Sequence, residues 1–318
     1  MRLSILVAAA LGAFALAAPL LVGCGSSDAG SPAGGGATVA SGCASFASAL
    51  CGRGDACAPF SIRLGYGDAA TCAARVGARC VDTFRLTGVT LTPAALESCA
   101  ASFASLSCAD TLAGVQPAAC GATGNRADGA ACSAGSQCKG GACRTTTEGG
   151  CGTCVTPLAA SATCDATKDL CAQGLFCSAA TRCEAPAHSG EPCSATAPCA
   201  GGLFCDGAAC APLLGAGADC SAGQTCDAGA GLICNGVTKK CAATALAATG
   251  AACGLDTTNG DVTLCQAGAQ CDFAAGHCVA QLKEGAACTL DPKTGTSTCT
   301  AGLQCVSGAC TTHYLTCD

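Results

Sequence analysis

Cysteine accounts for 35 of the 318 residues, and no other feature limits the fold of this chain so tightly. A cysteine content above roughly 8–10% marks a scaffold held by disulfides instead of by a large apolar core. The remaining composition agrees. Eight Phe, two Tyr and no Trp leave few large side chains to bury, and much of the 50% apolar content is Ala and Cys. Ala removes little area from water, so the positive mean hydropathy overstates the core this chain can build. The expected fold class is a small disulfide-rich one: a short α-helical, disulfide-stapled N-terminal domain followed by an array of short β-hairpin cysteine-rich repeats.

One cysteine stands apart from the framework. Met1-Arg2 is followed by a mostly apolar run from Leu3 to Val22, the pattern of an export signal. The run ends Leu21-Val22-Gly23-Cys24. This resembles the bacterial lipobox, in which a small residue precedes a cysteine that becomes a thioether to lipid. The resemblance implies lipid attachment at Cys24, recognition through Leu21, Val22 and Gly23, and residues 1–23 as a cleaved signal peptide. Several acyl chains would hold the product to a membrane at roughly 0.8 kcal/mol per buried CH₂. Residues 24–42 are rich in Gly, Ser and Ala and read as a flexible tether. Position 25 is Gly and not Asp. By resemblance to Gram-negative lipoproteins, that points to the outer membrane or cell surface. An exported chain meets an oxidising compartment, where disulfides persist.

The other 34 cysteines divide by spacing. From Cys43 to Cys120 eight cysteines lie far apart among helix signals, giving a helical eight-cysteine domain over 43–122. Asp68 is placed to cap a helix running through Cys72, Arg75 and Cys80. Thr92-Pro93 is an N-cap followed by Pro at the first helical position, for a helix through Leu96, Cys99, Phe103 and Leu106. A first helix carries Cys43, Phe46, Leu50 and Cys51. Cys43 and Cys51, like Cys72 and Cys80, are eight apart and so lie near one helical face.

Residues 128–318 change pattern. A repeat with a period of about 27–35 residues begins near Cys132, Cys164, Cys193, Cys220, Cys253 and Cys288. Its theme is G-x-x-C, a variable gap, C-x-x-G-x-x-C, and a last cysteine. Ser161 replaces the leading Gly in the second copy, and the fourth stretches the step from Cys226 to Cys234. Gly-Leu-Phe-Cys segments read as short strands after a turn, each with a hairpin partner. Four cysteines allow three connectivities. First-to-third and second-to-fourth interlocks a unit, which pairs Cys193 with Cys205 and Cys199 with Cys210. The first copy holds five cysteines and Cys317 stands alone, so their partners stay open.

The lipobox, the helical eight-cysteine region and the repeats together resemble cysteine-rich lipoproteins of myxobacteria and their relatives. The repeat spacing is similar to the N-terminal cysteine-rich region of Dickkopf proteins. Neither resemblance carries catalytic residues or a cofactor to this chain. An array in which each unit touches mainly its neighbours is the expected shape.

Residues that suggest chemistry have structural readings beside the functional ones. Cys151-Gly-Thr-Cys154 matches a redox or zinc C-x-x-C, but no βαβ pattern surrounds it. His188, His277 and His313 fall in separate units and read as exposed loop residues. Asp256, Asn259 and Asp261 form a turn that lacks the regular oxygen ligands of a calcium loop. Arg53-Gly54-Asp55 is a three-residue match to an integrin-binding motif and reads as chance. Removing Arg2 with the leader leaves 14 basic against 21 acidic residues, and no basic run or aromatic ladder suggests nucleic acid. The functional expectation is a non-enzymatic, lipid-anchored envelope protein that binds a protein or glycan or acts as a spacer. A protease inhibitor and an oxidoreductase using Cys151 and Cys154 are the alternatives.

Overall fold

The computed structural model describes residues 36–121, 124–145, 149–166, 169–194, 196–291 and 297–317. Cys24, its flanking Leu21, Val22 and Gly23, and the tether up to residue 35 lie outside them. Two regions are built by different means: a helical hub and a collar of six hairpin units around it.

The hub contains α1 (Val39–Cys57), α2 (Pro59–Tyr66), α3 (Ala69–Thr83), α4 (Pro93–Ser102) and α5 (Cys108–Leu112). α1 starts inside the stretch expected to be tether. The Thr38 hydroxyl accepts the Ser41 N–H and the Ser41 hydroxyl accepts the Thr38 N–H, a capping box that nucleates the helix. Gly42 is buried where α1 crosses α4, and a Cβ there would lie 2.8 Å from the Pro93 carbonyl. Asp68 caps α3 through the Thr71 N–H, and Thr92 caps α4 through the Ala95 N–H. α4 ends at Ser102 and continues as a 3₁₀ turn over Phe103–Ser105, short of the expected Leu106. The Ser102 hydroxyl donates to the Cys99 carbonyl at 2.7 Å, a side-chain bond that competes with helix continuation.

Cys43–Cys80 and Cys51–Cys72 join α1 to α3. Because the pairing order is reversed, the two helices run antiparallel with a rung near each end. Cys57–Cys108 and Cys99–Cys120 fasten the shorter helices. Phe46 meets Phe103 edge-on at 5.9 Å between ring centres, and Phe103 is 2% exposed. Such contacts add to the burial of the rings themselves.

Every collar unit repeats one backbone plan. The leading glycines Gly129, Gly190, Gly217, Gly250 and Gly285 have φ between +76° and +85°. Their N–H groups donate to the carbonyl of the last cysteine of the same unit, as Gly190 does to Cys210 at 2.8 Å. A residue with a Cβ is strained there, which explains the G of G-x-x-C. Ser161 is held in the same place at φ 65° and donates to Cys183. The third and fourth cysteines face each other across an antiparallel hairpin, as Cys205 does Cys210 between Leu203–Cys205 and Cys210–Pro212. Opposed strand residues point to one face. There they meet the first and second cysteines: Cys193–Cys205 and Cys199–Cys210. The same crossed order holds in all six units, with Cys132–Cys143 and Cys138–Cys154 in the first. These bridges replace a core that units of about 30 residues cannot build.

The units do not form a free-standing extended array. They curl around the hub and close on themselves. In units two to six the turn between the second and third cysteines faces the hub. Gln173 accepts the Gln116 N–H, Gly201 lies on Ala109 and Leu112, and Ala267 lies beside Gly67. The Ala301 carbonyl accepts Arg75 Nη1 at 2.6 Å. Unit four's longer step forms a 3₁₀ turn, Ala228–Ala230, that docks on α2, and Phe60 covers Gly231. Unit one attaches through Gln137, whose Nε2 donates to the Thr87 carbonyl. The physical reason is apolar surface: Phe60, Ala58 and Ala301 would face water on a detached array and are covered on a docked one.

Candidate functional surface: the hub–collar seam and the hairpin tips

The collar ends on the hub. His313 Nδ1 lies 2.9 Å from Asp82 Oδ1, and the Tyr314 N–H donates to Asp82 Oδ2 at 2.9 Å. Arg85 approaches the same carboxylate at 3.7 Å. One helical turn away, the Arg79 guanidinium sits 4.3 Å from the centre of the Tyr314 ring, a cation–π contact in a buried setting. Asp82 is 8% and Arg79 7% exposed, and Arg79 Nε and Nη1 have no hydrogen-bond partner. Behind them, burial raises the Tyr66 hydroxyl pKa, with Arg75 and Arg79 opposing. Of the three histidines, His313 is tied to a distant carboxylate although its own side chain is exposed, and the His277 ring meets the Ala275 carbonyl of its own hairpin. His188 and His277 are exposed on separate units.

Two further contacts close the ring. Arg126 Nη1 donates to the carbonyls of Ala131 and Cys317, gripping both ends of the collar. Cys151 bonds to Cys317 across 166 residues. Cys154 belongs to Cys138, so Cys151 and Cys154 sit in two different bridges and do not form a C-x-x-C redox pair. The odd cysteine of unit one and the lone Cys317 satisfy each other.

The other candidates are structural where the structure describes them. Three-sulfur groupings such as Cys132, Cys138 and Cys154 arise because the two bridges of a unit cross. Each of those sulfurs is in a disulfide, Cys138 with Cys154 and Cys132 with Cys143, and metal ligation needs thiolates. The Asp256–Asp261 turn is tied by its own side chains: Asp256 Oδ1 accepts the Thr258 N–H and Asn259 Oδ1 accepts the Asp261 N–H. Asn235, 2% exposed, donates from Nδ2 to the Asn259 carbonyl and to Asp261 Oδ1, stitching unit four to unit five. Arg53-Gly54-Asp55 lies in the last turn of α1, not in an extended loop. A cavity of about 60 Å³ lies among Leu50, Gly54, Ala58, Ile62, Tyr66 and Val76. It is far below the roughly 300–1,000 Å³ of a small-molecule pocket.

The exposed face of the collar is made by the hairpin tips, at 179–182, 206–208, 236–240, 273–277 and 307–308. Phe273 stands 80% exposed on one tip and Val237 55% on another. Asp206 orders its tip by accepting the N–H groups of Ala208 and Ala209, and those bonds hold its pKa below the usual carboxylate value. Among the described residues no helix is long and apolar enough to cross a membrane. No protein-family model matches the chain, and neither does any curated protein or solved structure. The disulfide framework is that of an exported protein.

Proposed function

We propose that this chain is a non-enzymatic, lipid-anchored envelope protein that uses its collar to bind a protein or glycan at the cell surface. One observation carries the reading. Units two to six turn the C-x-x-G bend to the hub and the hairpin tip to solvent, so the repeated plan serves docking and the differing tips remain for contact. Rigid tips lose little conformational freedom when they bind, which favours recognition. The lipobox at Leu21, Val22, Gly23 and Cys24, and the resemblance to myxobacterial cysteine-rich lipoproteins, supply the anchor and the outer-membrane address.

Two measurements test the proposal. Growth with a labelled fatty acid should mark the wild-type chain and leave Cys24→Ala unlabelled and outside the membrane fraction. The purified protein, screened against envelope polysaccharides and surface proteins, should bind one class through the tips. Binding should weaken when Phe273 and Val237 are replaced together by Ser. A soluble, unlabelled wild-type chain would remove the anchor. Hydrolytic or redox turnover by the purified protein would remove the binding role.

A further inference from the structure

Cys151–Cys317 differs from every other bridge among the described residues. The bridges inside units span 11–18 residues and those inside the hub 21–51, whereas this one spans 166. None joins hub to collar, so the ring is closed covalently at one place. Cys151 is exposed and Cys317 is 3% exposed. Cys205 and Cys234 are exposed as well. Their units keep a second bridge, Cys199–Cys210 or Cys226–Cys241, which holds the sulfurs face to face after a reductive event. Such thiols re-form their bond quickly, because effective concentration is high when the connecting chain is short and constrained. Cys151 and Cys317 have no such second bridge. What remains is a set of polar and van der Waals contacts: Gly149 against the Cys305 carbonyl and Val306, Arg126 on Cys317, and His313 and Tyr314 on Asp82.

We propose that Cys151–Cys317 is a reducible clasp, and that a dithiol reductant opens the collar by breaking this bond ahead of the others. The chemistry balances as a two-electron exchange. A reductant thiolate attacks the exposed Cys151 sulfur, and Cys317 leaves as a thiolate and takes up a proton. The reductant's second thiolate then displaces Cys151 from the mixed disulfide. The products are two protein thiols and one oxidised reductant. Opening frees residues 311–317 from α3. It uncovers Asp82 and Arg79, a carboxylate and a guanidinium otherwise shielded by Tyr314 and His313. The clasp therefore couples the redox state of one bond to the exposure of a charged face on the hub.

The test uses the oxidised, purified full chain and a graded series of dithiothreitol, with thiols trapped by alkylation and mapped by mass spectrometry. Cys151 and Cys317 should label together, at least about tenfold faster than Cys193 with Cys205 or Cys220 with Cys234. At that stage, amide exchange in α3 should rise and the radius of gyration should increase, and both should revert on reoxidation. Equal or earlier labelling of either unit pair would overturn the proposal. So would selective reduction that leaves α3 exchange and the radius unchanged. C151S/C317S should resemble the opened state without any reductant, and a closed radius in that variant would also sink it. The wild-type measurement stands whether or not the variant folds.

Discussion

The hub and the collar use the same covalent bond for different ends. In the hub, Cys43–Cys80 and Cys51–Cys72 join α1 to α3, helices that also pack Val76 against Ala47 in one cluster and border Leu96 of α4 in another. There the bridges fix the relative position of elements that have a core. In the collar, a bridge such as Cys199–Cys210 spans 11 residues and stays inside its unit. There the sulfur cluster is itself most of what the unit buries. The difference teaches that cysteine spacing reports what a disulfide replaces. Wide spacing aligns a small core, and short crossed spacing stands in for one.

Mutations at graded sites test that contrast. The largest effect should come from Phe103→Ala. Removing a ring that is 2% exposed should cost the hub about 3–5 kcal/mol. The thermal midpoint of the helical signal should fall while amide protection in the 203–212 hairpin persists. Loss of protection everywhere would mean that hub and collar fold as one unit.

Gly201→Val comes next. A Cβ at that position would lie 2.5 Å from the Ala109 carbonyl, so unit three should lift from α5 at about 1–3 kcal/mol. Faster exchange at 109–113, with Cys193–Cys205 intact by peptide mapping, is the expected signature. A smaller change of opposite sign should follow Ser161→Gly, which relieves a left-handed conformation at φ 65° and should stabilise unit two by about 1 kcal/mol. Urea titration followed by exchange at 161–183 measures it.

Asp206→Asn should have the least effect. The Asp206 pKa is depressed by the Ala209 and Ala208 N–H bonds, so its contribution is present above the unfolded carboxylate pKa and lost as pH falls through the folded value. The wild-type tip should therefore loosen in acid. The Asn variant, whose oxygen still accepts hydrogen bonds, should show less pH dependence by exchange at 206–209.

Much of this was legible because it is local. Asp68 and Thr92 announce helix starts through side chains that reach three residues onward. The crossed pairing follows from hairpins that place the third and fourth cysteines on one face. What stayed hidden is what the chain does at a distance. The collar's closure left only a parity signal, an odd cysteine in unit one and one more at Cys317. Nothing beside His313 marks Asp82, 231 residues away, as its partner. Nor does one residue type mark the hub contact: Gln173, Gly201, Ala267 and Ala301 use a side-chain oxygen, a missing side chain, a methyl and a carbonyl. The tether boundary was missed because Val39-Ala-Ser-Gly42 is weak as composition and becomes helical through the Thr38 cap and burial under α4.

The Cys151–Cys317 bond also sets a sequence of events in time. A chain delivered N-terminus first completes the crossed pairs of unit one as soon as Cys154 emerges. Cys151, three residues earlier, must then wait through five further units until Cys317 arrives. Throughout that interval it is an exposed thiol beside freshly made disulfides, able to attack them and scramble the unit. The native pairing therefore requires Cys151 to stay out of exchange with the unit-one bridges until Cys317 is delivered.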